Sequence, residues 1–132
     1  MRLYIIKAVK YYSKVMFNKD IFVVDSLILD NCKSSSIQIL TKDYILKLMI
    51  NIEYNSLRKI SKYLFNIETD EMIEDLQKDI VNIIGGNFAN MFFQKDYKLS
   101  LPKIEDICDT KYNIFFKNDI LKLSVRLKVE NG

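Results

Sequence analysis

The stretch from Thr69 to Asp96 constrains the fold more than any other, because its pattern predicts one long helix. Thr69 or Asp70 can cap the first turn, and Glu71 and Glu74 place negative charge near the positive end of the helix dipole. One face is mostly apolar at helical spacing and consists of Ile73, Leu76, Ile80, Ile83, Ile84, Asn87 and Met91. We therefore expect the helix to bury this face along most of its length.

The opposite side of this predicted helix carries an unusual row of residues. At about 100° per residue, a stripe forms from Asp75, Asp79, Asn82 and Gly86. Gly85 and Gly86 are adjacent, and a glycine inside a helix costs about 1 kcal/mol relative to alanine. The pair indicates either the close approach of another backbone or side chain, or a kink, or a helix that stops at Ile84.

The other segments predict an α+β fold with a mixed, largely antiparallel sheet and helices packed on one face. Helical periodicity marks residues 3–17 and 56–65, and Asn55 or Ser56 can cap the second helix. Apolar and β-branched runs predict strands at 21–30, 34–41, 44–54, 98–101, 113–117 and 119–130. In the last strand the polar positions are expected to face solvent, and they are Lys122, Ser124, Arg126 and Lys128.

Composition limits the classes of function. The 132 residues predict a single domain, 1–132, and the net charge of +3 is spread among acids rather than gathered in the basic stripe of a nucleic-acid binder. No apolar run reaches the length of a membrane span, and the N-terminal residues lack the pattern of a signal peptide. We therefore expect a cytoplasmic protein that binds neither nucleic acid nor membrane.

Two cysteines and the absence of histidine limit the chemistry further. Cys32 and Cys108 lack C-x-x-C spacing, so a zinc site or a cysteine–histidine nucleophile is not expected. We expect two reduced thiols, as is usual in the cytosol.

The first predicted helix has two interpretations. Its lysines, Lys7, Lys10 and Lys14, lie opposite an apolar face. A basic amphipathic helix can bind a membrane surface, but more often it packs on a core and leaves its lysines in solvent. We favour the second interpretation.

Two segments resemble the CheC/CheX family of chemotaxis phosphatases, and the CheX type most closely. The family's helix carries the pattern E-x-x-N-x-I-x-G-N, which matches the run from Asp79 to Asn87. Its following Leu-Ser-Leu-Pro-like strand matches Leu99 to Pro102, and its acidic or serine residue upstream matches Asp75. Weaker similarity extends over residues 37–66, where strand, strand and helix follow in the family's order.

The resemblance implies a phosphatase that hydrolyses the aspartyl-phosphate of a CheY-type response regulator. In this family the asparagine orients the attacking water and the acid binds the partner's active-site lysine, which are Asn82 and Asp79 here. We expect Asp75 to support docking, and Gly85 and Gly86 to let the partner approach closely. The resemblance also implies that the partner's receiver domain holds Mg²⁺, that this chain holds no cofactor or metal, and that two copies pair through sheet edges.

The sequence departs from the family pattern in two places. Asp79 stands where the family has glutamate, so its carboxylate reaches less far. The run Lys42-Asp43-Tyr44 replaces a glycine-rich turn, which concerns loop shape only. Because of Asp79, the alternative is a non-catalytic or weakly active module that binds receiver domains. No second copy of the motif occurs, so we expect one active surface per chain.

Overall fold

The computed structural model describes residues 1 to 130. Its elements are α1 (Arg2–Phe17), β1 (Phe22–Val24), β2 (Lys33–Leu40), β3 (Ile45–Ile52), α2 (Tyr54–Phe65), α3 (Asp70–Phe93), β4 (Lys98–Leu99), β5 (Lys103–Glu105), β6 (Ile114–Lys117) and β7 (Lys122–Glu130). The strands form a seven-stranded sheet in the order β1-β6-β7-β3-β2-β4, with β5 also paired to β2. All of these pairings are antiparallel. The predicted α+β class is confirmed, whereas the last two residues of the predicted domain, 131 and 132, lie outside the described part.

The long predicted helix is present as α3 and runs through both glycines without a break. Thr69 caps it, since its side-chain oxygen accepts a hydrogen bond from the backbone N–H of Met72 at 3.2 Å. The prediction of one long helix is therefore confirmed, and the alternative of a helix that stops at Ile84 is ruled out. The buried face is also rotated from the predicted one, because Phe88 is fully buried whereas Ile83 is 40% exposed.

The sheet packs closely against α3 at Gly85. A Cβ atom added there would lie 2.8 Å from Cγ2 of Ile37 on β2 and 3.3 Å from Cδ2 of Leu48 on β3. At Gly86 the nearest atom would be Cδ1 of Leu99, at an ordinary 3.6 Å. Of the two glycines, Gly85 is thus the one that the packing of helix and sheet requires. Its missing side chain sets the spacing between the two layers.

The helix α1 packs against α3 and buries its apolar face. The rings of Tyr4 and Phe92 meet edge to face, with centroids 5.6 Å apart. Ala8, Val9 and Tyr12 are buried, whereas the three lysines are exposed. The predicted core-packing interpretation of this helix is therefore correct.

The segment from 106 to 113 crosses the face of the sheet that carries no helix. The buried amide of Asn51 donates hydrogen bonds to the backbone oxygen of Asp109 at 2.9 Å and to the hydroxyl of Ser124 at 3.2 Å. Arg126 pairs with the carboxylate of Asp109. The expectation of a solvent-facing side on the last strand therefore fails at two of its four positions. Ser124 is buried, and Arg126 is paired with a residue of this segment.

A disulfide joins the same segment to the residue before β2. Cys32 and Cys108 form a disulfide with their Cα atoms 6.3 Å apart, so the expectation of reduced thiols is wrong. The pairing of β5 with β2 brings the chain back beside the start of β2, where Cys32 lies. A pairing across 76 residues leaves no local signal in the sequence.

The boundaries of β1 and α2 differ from the predicted ones. The strand expected at 21–30 pairs only over Phe22–Val24. Glu53, rather than Asn55 or Ser56, precedes the first turn of α2. Ser56 instead uses its hydroxyl to accept a hydrogen bond from the backbone N–H of Lys122, at 3.0 Å.

Candidate functional site

The predicted polar stripe lies on the exposed side of α3. Asp75, Asp79 and Asn82 are exposed, and Gly86 is half-buried beside Leu99. Asp79 and Asn82 are three residues apart on one helix, so their side chains are neighbours on its surface. Gly85 does not belong to this surface, because it is buried against the sheet. The expectation that Gly85 admits a partner is therefore corrected, whereas Gly86 does border the stripe.

The polar groups of the stripe have no partners within residues 1 to 130. None of the ion pairs there involves Asp75 or Asp79. No side-chain hydrogen bond of the described residues involves Asn82 either. A carboxylate and an amide that are exposed on a helix and have no such partners can bind groups of another molecule without first breaking internal contacts.

A buried tyrosine lies near Asp79 of this stripe. Tyr12 lies on α1 with its side chain almost entirely removed from solvent. Burial, and in second place the nearby carboxylate of Asp79, raises the pKa of Tyr12. The phenol is therefore neutral across the physiological range. No local pattern in the sequence links residues 12 and 79.

The edge of the sheet next to Gly86 contains a bulge. Leu99 pairs with Ile39, and Lys103 pairs with Ser36. Between these pairs β2 has two residues, 37 and 38, whereas the edge has three, 100 to 102. One extra residue in an edge strand bends it and changes the direction of its side chains. The predicted strand at 98–101 thus pairs only over Lys98–Leu99, and pairing resumes beyond Pro102 as β5.

Ser100 closes the gap that the bulge leaves in the ladder. Its backbone N–H donates to the carbonyl of Gln38 at 2.9 Å, and its hydroxyl accepts from the backbone N–H of Gln38 at 2.8 Å. The following residue, Leu101, is 85% exposed. The backbone on both sides of this leucine is therefore fixed to β2.

The stripe is a helix surface rather than a cavity. A hollow of about 560 Å³ lies toward the start of α3, and its lining includes Asp70, Gln77, Glu105 and the disulfide, but not Asp79 or Asn82. Within the described range, no group of three histidine, cysteine or acidic side chains is placed to hold a metal ion. Small-molecule sites are usually concave, so an exposed helix face suits a macromolecular partner better.

No family model and no curated protein matches the sequence. Solved structures do match. The chemotaxis protein CheX from Vibrio vulnificus superimposes with a TM-score of 0.78 over 96% of this chain and 93% of that one, at 11% identity. The chain has a CheX-like fold. A crystal structure of a CheX–CheY–BeF3–Mg2+ complex from Borrelia burgdorferi is similar over 98% of this chain and 97% of that one, with a TM-score of 0.71 and 14% identity.

The CheX-like fold also covers a protein described as CheC-like. That protein, from Shewanella oneidensis, matches with a TM-score of 0.71 and 15% identity over 98% of this chain and all of its own. The predicted similarity to CheC and CheX is therefore confirmed at the level of the fold. No helix in residues 1 to 130 is long and apolar enough to cross a membrane.

Proposed function

We propose that this protein is a phosphatase that hydrolyses the aspartyl-phosphate of a CheY-type receiver domain. The observation that carries the proposal is the pair formed by Asp79 and Asn82 on the exposed side of α3 in a CheX-like fold. Neither side chain is engaged within the described residues, and one protein of the same fold crystallised in complex with CheY. The stripe is thus available to a receiver domain.

The chemistry asks little of this chain beyond positioning. Phosphoryl transfer proceeds through an in-line displacement, and the protein contributes by orienting the water and stabilising charge. In the proposed complex the amide of Asn82 orients the water that attacks phosphorus. The carboxylate of Asp79 pairs with a lysine of the receiver domain, and Asp75 supports the docking. The receiver domain supplies Mg²⁺, which neutralises charge on the phosphoryl oxygens.

A second candidate function rests on the identity of residue 79. Aspartate is shorter than the glutamate of the family pattern by one methylene, or about 1.5 Å of reach. A displacement of about 1 Å can cost a hundredfold in rate where catalysis depends on positioning. A module that binds the receiver domain and hydrolyses the phosphate weakly or not at all is therefore the alternative.

We also propose where the protein acts and that two copies of it pair. We place the protein in the cytoplasm, as part of a two-component chemotaxis pathway, although a disulfide such as Cys32–Cys108 is rare in that compartment. The two copies pair through a sheet edge, for which the described sheet offers β1 on one side and β4 on the other. An unpaired edge is a template for another strand. Sedimentation or light scattering would measure the assembly directly.

The lifetime of a phosphorylated receiver domain tests the proposed activity. Adding the protein in catalytic amount should shorten that lifetime, and Asn82→Ala should abolish the effect while leaving binding largely intact. Asn90→Ala is the matched control, because Asn90 is another exposed asparagine on α3. A wild-type protein that binds but leaves the lifetime unchanged would support the binding module instead.

A further inference from the structure

The bulge between β4 and β5 presents an apolar side chain that the polar stripe does not account for. Leu101 is 85% exposed, and single exposed apolar residues are common on protein surfaces. This one differs in how its backbone is held. Ser100 is bonded to Gln38 through both its N–H and its hydroxyl, and Lys103 pairs with Ser36. The leucine is therefore displayed by a fixed backbone with sheet pairing on either side.

The register places this bulge beside the stripe. Residues 100 to 102 lie opposite residues 37 and 38 of β2. Ile37 is the residue that contacts Gly85, and Leu99, next to the bulge, is the residue that contacts Gly86. Asn82 lies one helical turn before Gly86 on the same exposed side. The bulge and the stripe thus meet at Gly86.

We infer that Leu101 is an apolar docking contact, which the receiver domain buries when its phosphorylated pocket engages Asp79 and Asn82. The inference rests on the proposed function. An exposed carboxylate–lysine pair contributes about fivefold to affinity or less, so Asp79 alone cannot hold a partner. Burying a leucine side chain contributes tenfold or more, and a rigid backbone loses little entropy on binding. The receiver domain must therefore present an apolar patch beside its phosphorylation pocket.

Steady-state kinetics on the phosphorylated receiver domain test this assignment. Leu101→Ser should raise the KM about tenfold and leave kcat unchanged, since the leucine acts in docking rather than in hydrolysis. Leu101→Met should restore most of the affinity, because it keeps an apolar side chain of similar size. The matched control is Ile28→Ser, which removes an equally exposed apolar side chain, 84%, from the loop between β1 and β2. An unchanged KM in Leu101→Ser, or an equal change in Ile28→Ser, would overturn the inference.

A binding measurement separates this inference from the proposed activity. If the wild-type protein fails to shorten the phosphate lifetime, the phosphatase proposal fails. The same variants are then titrated against the receiver domain carrying beryllium fluoride and Mg²⁺ in place of the phosphate. A tenfold weaker Kd for Leu101→Ser alone would support the docking contact. Equal Kd values for the wild type and the three variants, or no binding by the wild type, would overturn it.

Discussion

Gly85 packs so closely against Ile37 that a Cβ atom added to the glycine would lie 2.8 Å from Cγ2 of the isoleucine. The two residues belong to α3 and β2, so this contact sets the distance between helix and sheet. Since Asp79 and Asn82 are carried by the same helix, it also sets the height of the polar stripe above the sheet.

The two adjacent glycines are expected to respond oppositely to alanine. In Gly85→Ala the added methyl group pushes Ile37 and Leu48 away from the helix. Because the cost of this overpacking exceeds the gain in helix propensity, the free energy of unfolding should fall by about 1 kcal/mol. In Gly86→Ala the added Cβ atom meets only Cδ1 of Leu99, at 3.6 Å. This variant should raise the free energy of unfolding by about 0.5 kcal/mol, because alanine has the higher helix propensity. Urea unfolding of the two variants measures both values. Equal destabilisation would contradict the packing role of Gly85.

Gly86→Ala should also separate stability from activity. If a receiver domain approaches the stripe closely, the added methyl group weakens docking although the fold is more stable. We expect the KM for receiver-domain dephosphorylation to rise severalfold. A variant that is both more stable and fully active would show that the partner does not contact Gly86.

Lengthening the acid of the stripe should strengthen catalysis. Asp79→Glu restores the reach of the family's carboxylate, and we expect the rate of dephosphorylation to rise by up to about a hundredfold. Asp70→Glu is the control, because it makes the same chemical change at an exposed position in the first turn of the same helix, outside the stripe. The lifetime of the phosphorylated receiver domain measures both variants. No gain from Asp79→Glu would mean that the partner already accommodates the shorter side chain.

The disulfide is expected to contribute substantially to stability. It joins residues 76 apart, and closing a loop of that length in the unfolded chain stabilises a protein by about 4 kcal/mol. Replacing Cys32 and Cys108 by serine together should lower the free energy of unfolding by that amount. Wild-type protein unfolded in the presence of a reductant should match the double variant. Equal denaturation midpoints with and without reductant would contradict the pairing.

The ion pair between Lys47 and Glu105 should make stability depend on pH. A hydrogen bond from Lys47, whose Nζ is 2.8 Å from Oε1 of Glu105, and then one from Ser36 hold the pKa of Glu105 below its ordinary value of 4.5. The folded state therefore favours the ionised form. The stabilisation is present above the ordinary pKa and is lost as pH falls through the lowered one.

The matching variant is Glu105→Gln. It should lower the free energy of unfolding by about 1 kcal/mol at pH 7, and the difference from wild type should shrink in acid. Asp25→Asn, in the exposed loop after β1, is the matched control, because it makes the same acid-to-amide change at an exposed position. Urea unfolding at a series of pH values gives the comparison. A constant difference down to acid pH would mean that the charge of Glu105 is not involved.

Local patterns were sufficient for most of the fold. The cap at Thr69 and the spacing of apolar residues predicted α3 to within a few residues, because helix ends and amphipathic faces depend on neighbours in the chain. Alternation likewise predicted β7 up to Glu130. The rotation of the buried face of α3, with Ile83 outside, was not predictable, since it follows from where Ile37 and Leu48 meet Gly85.

The candidate site divides in the same way. The stripe of Asp75, Asp79 and Asn82 follows from helical spacing alone, so the sequence by itself determined which side chains share the exposed face of α3. Tertiary structure decided what surrounds that face, namely the buried Tyr12 near Asp79 and the bulge that displays Leu101. It also decided that Gly85 packs against the sheet and that Cys32 forms a disulfide with Cys108. These relationships join residues far apart in the chain, and only the pairing of strands and the packing of helices bring them within contact distance.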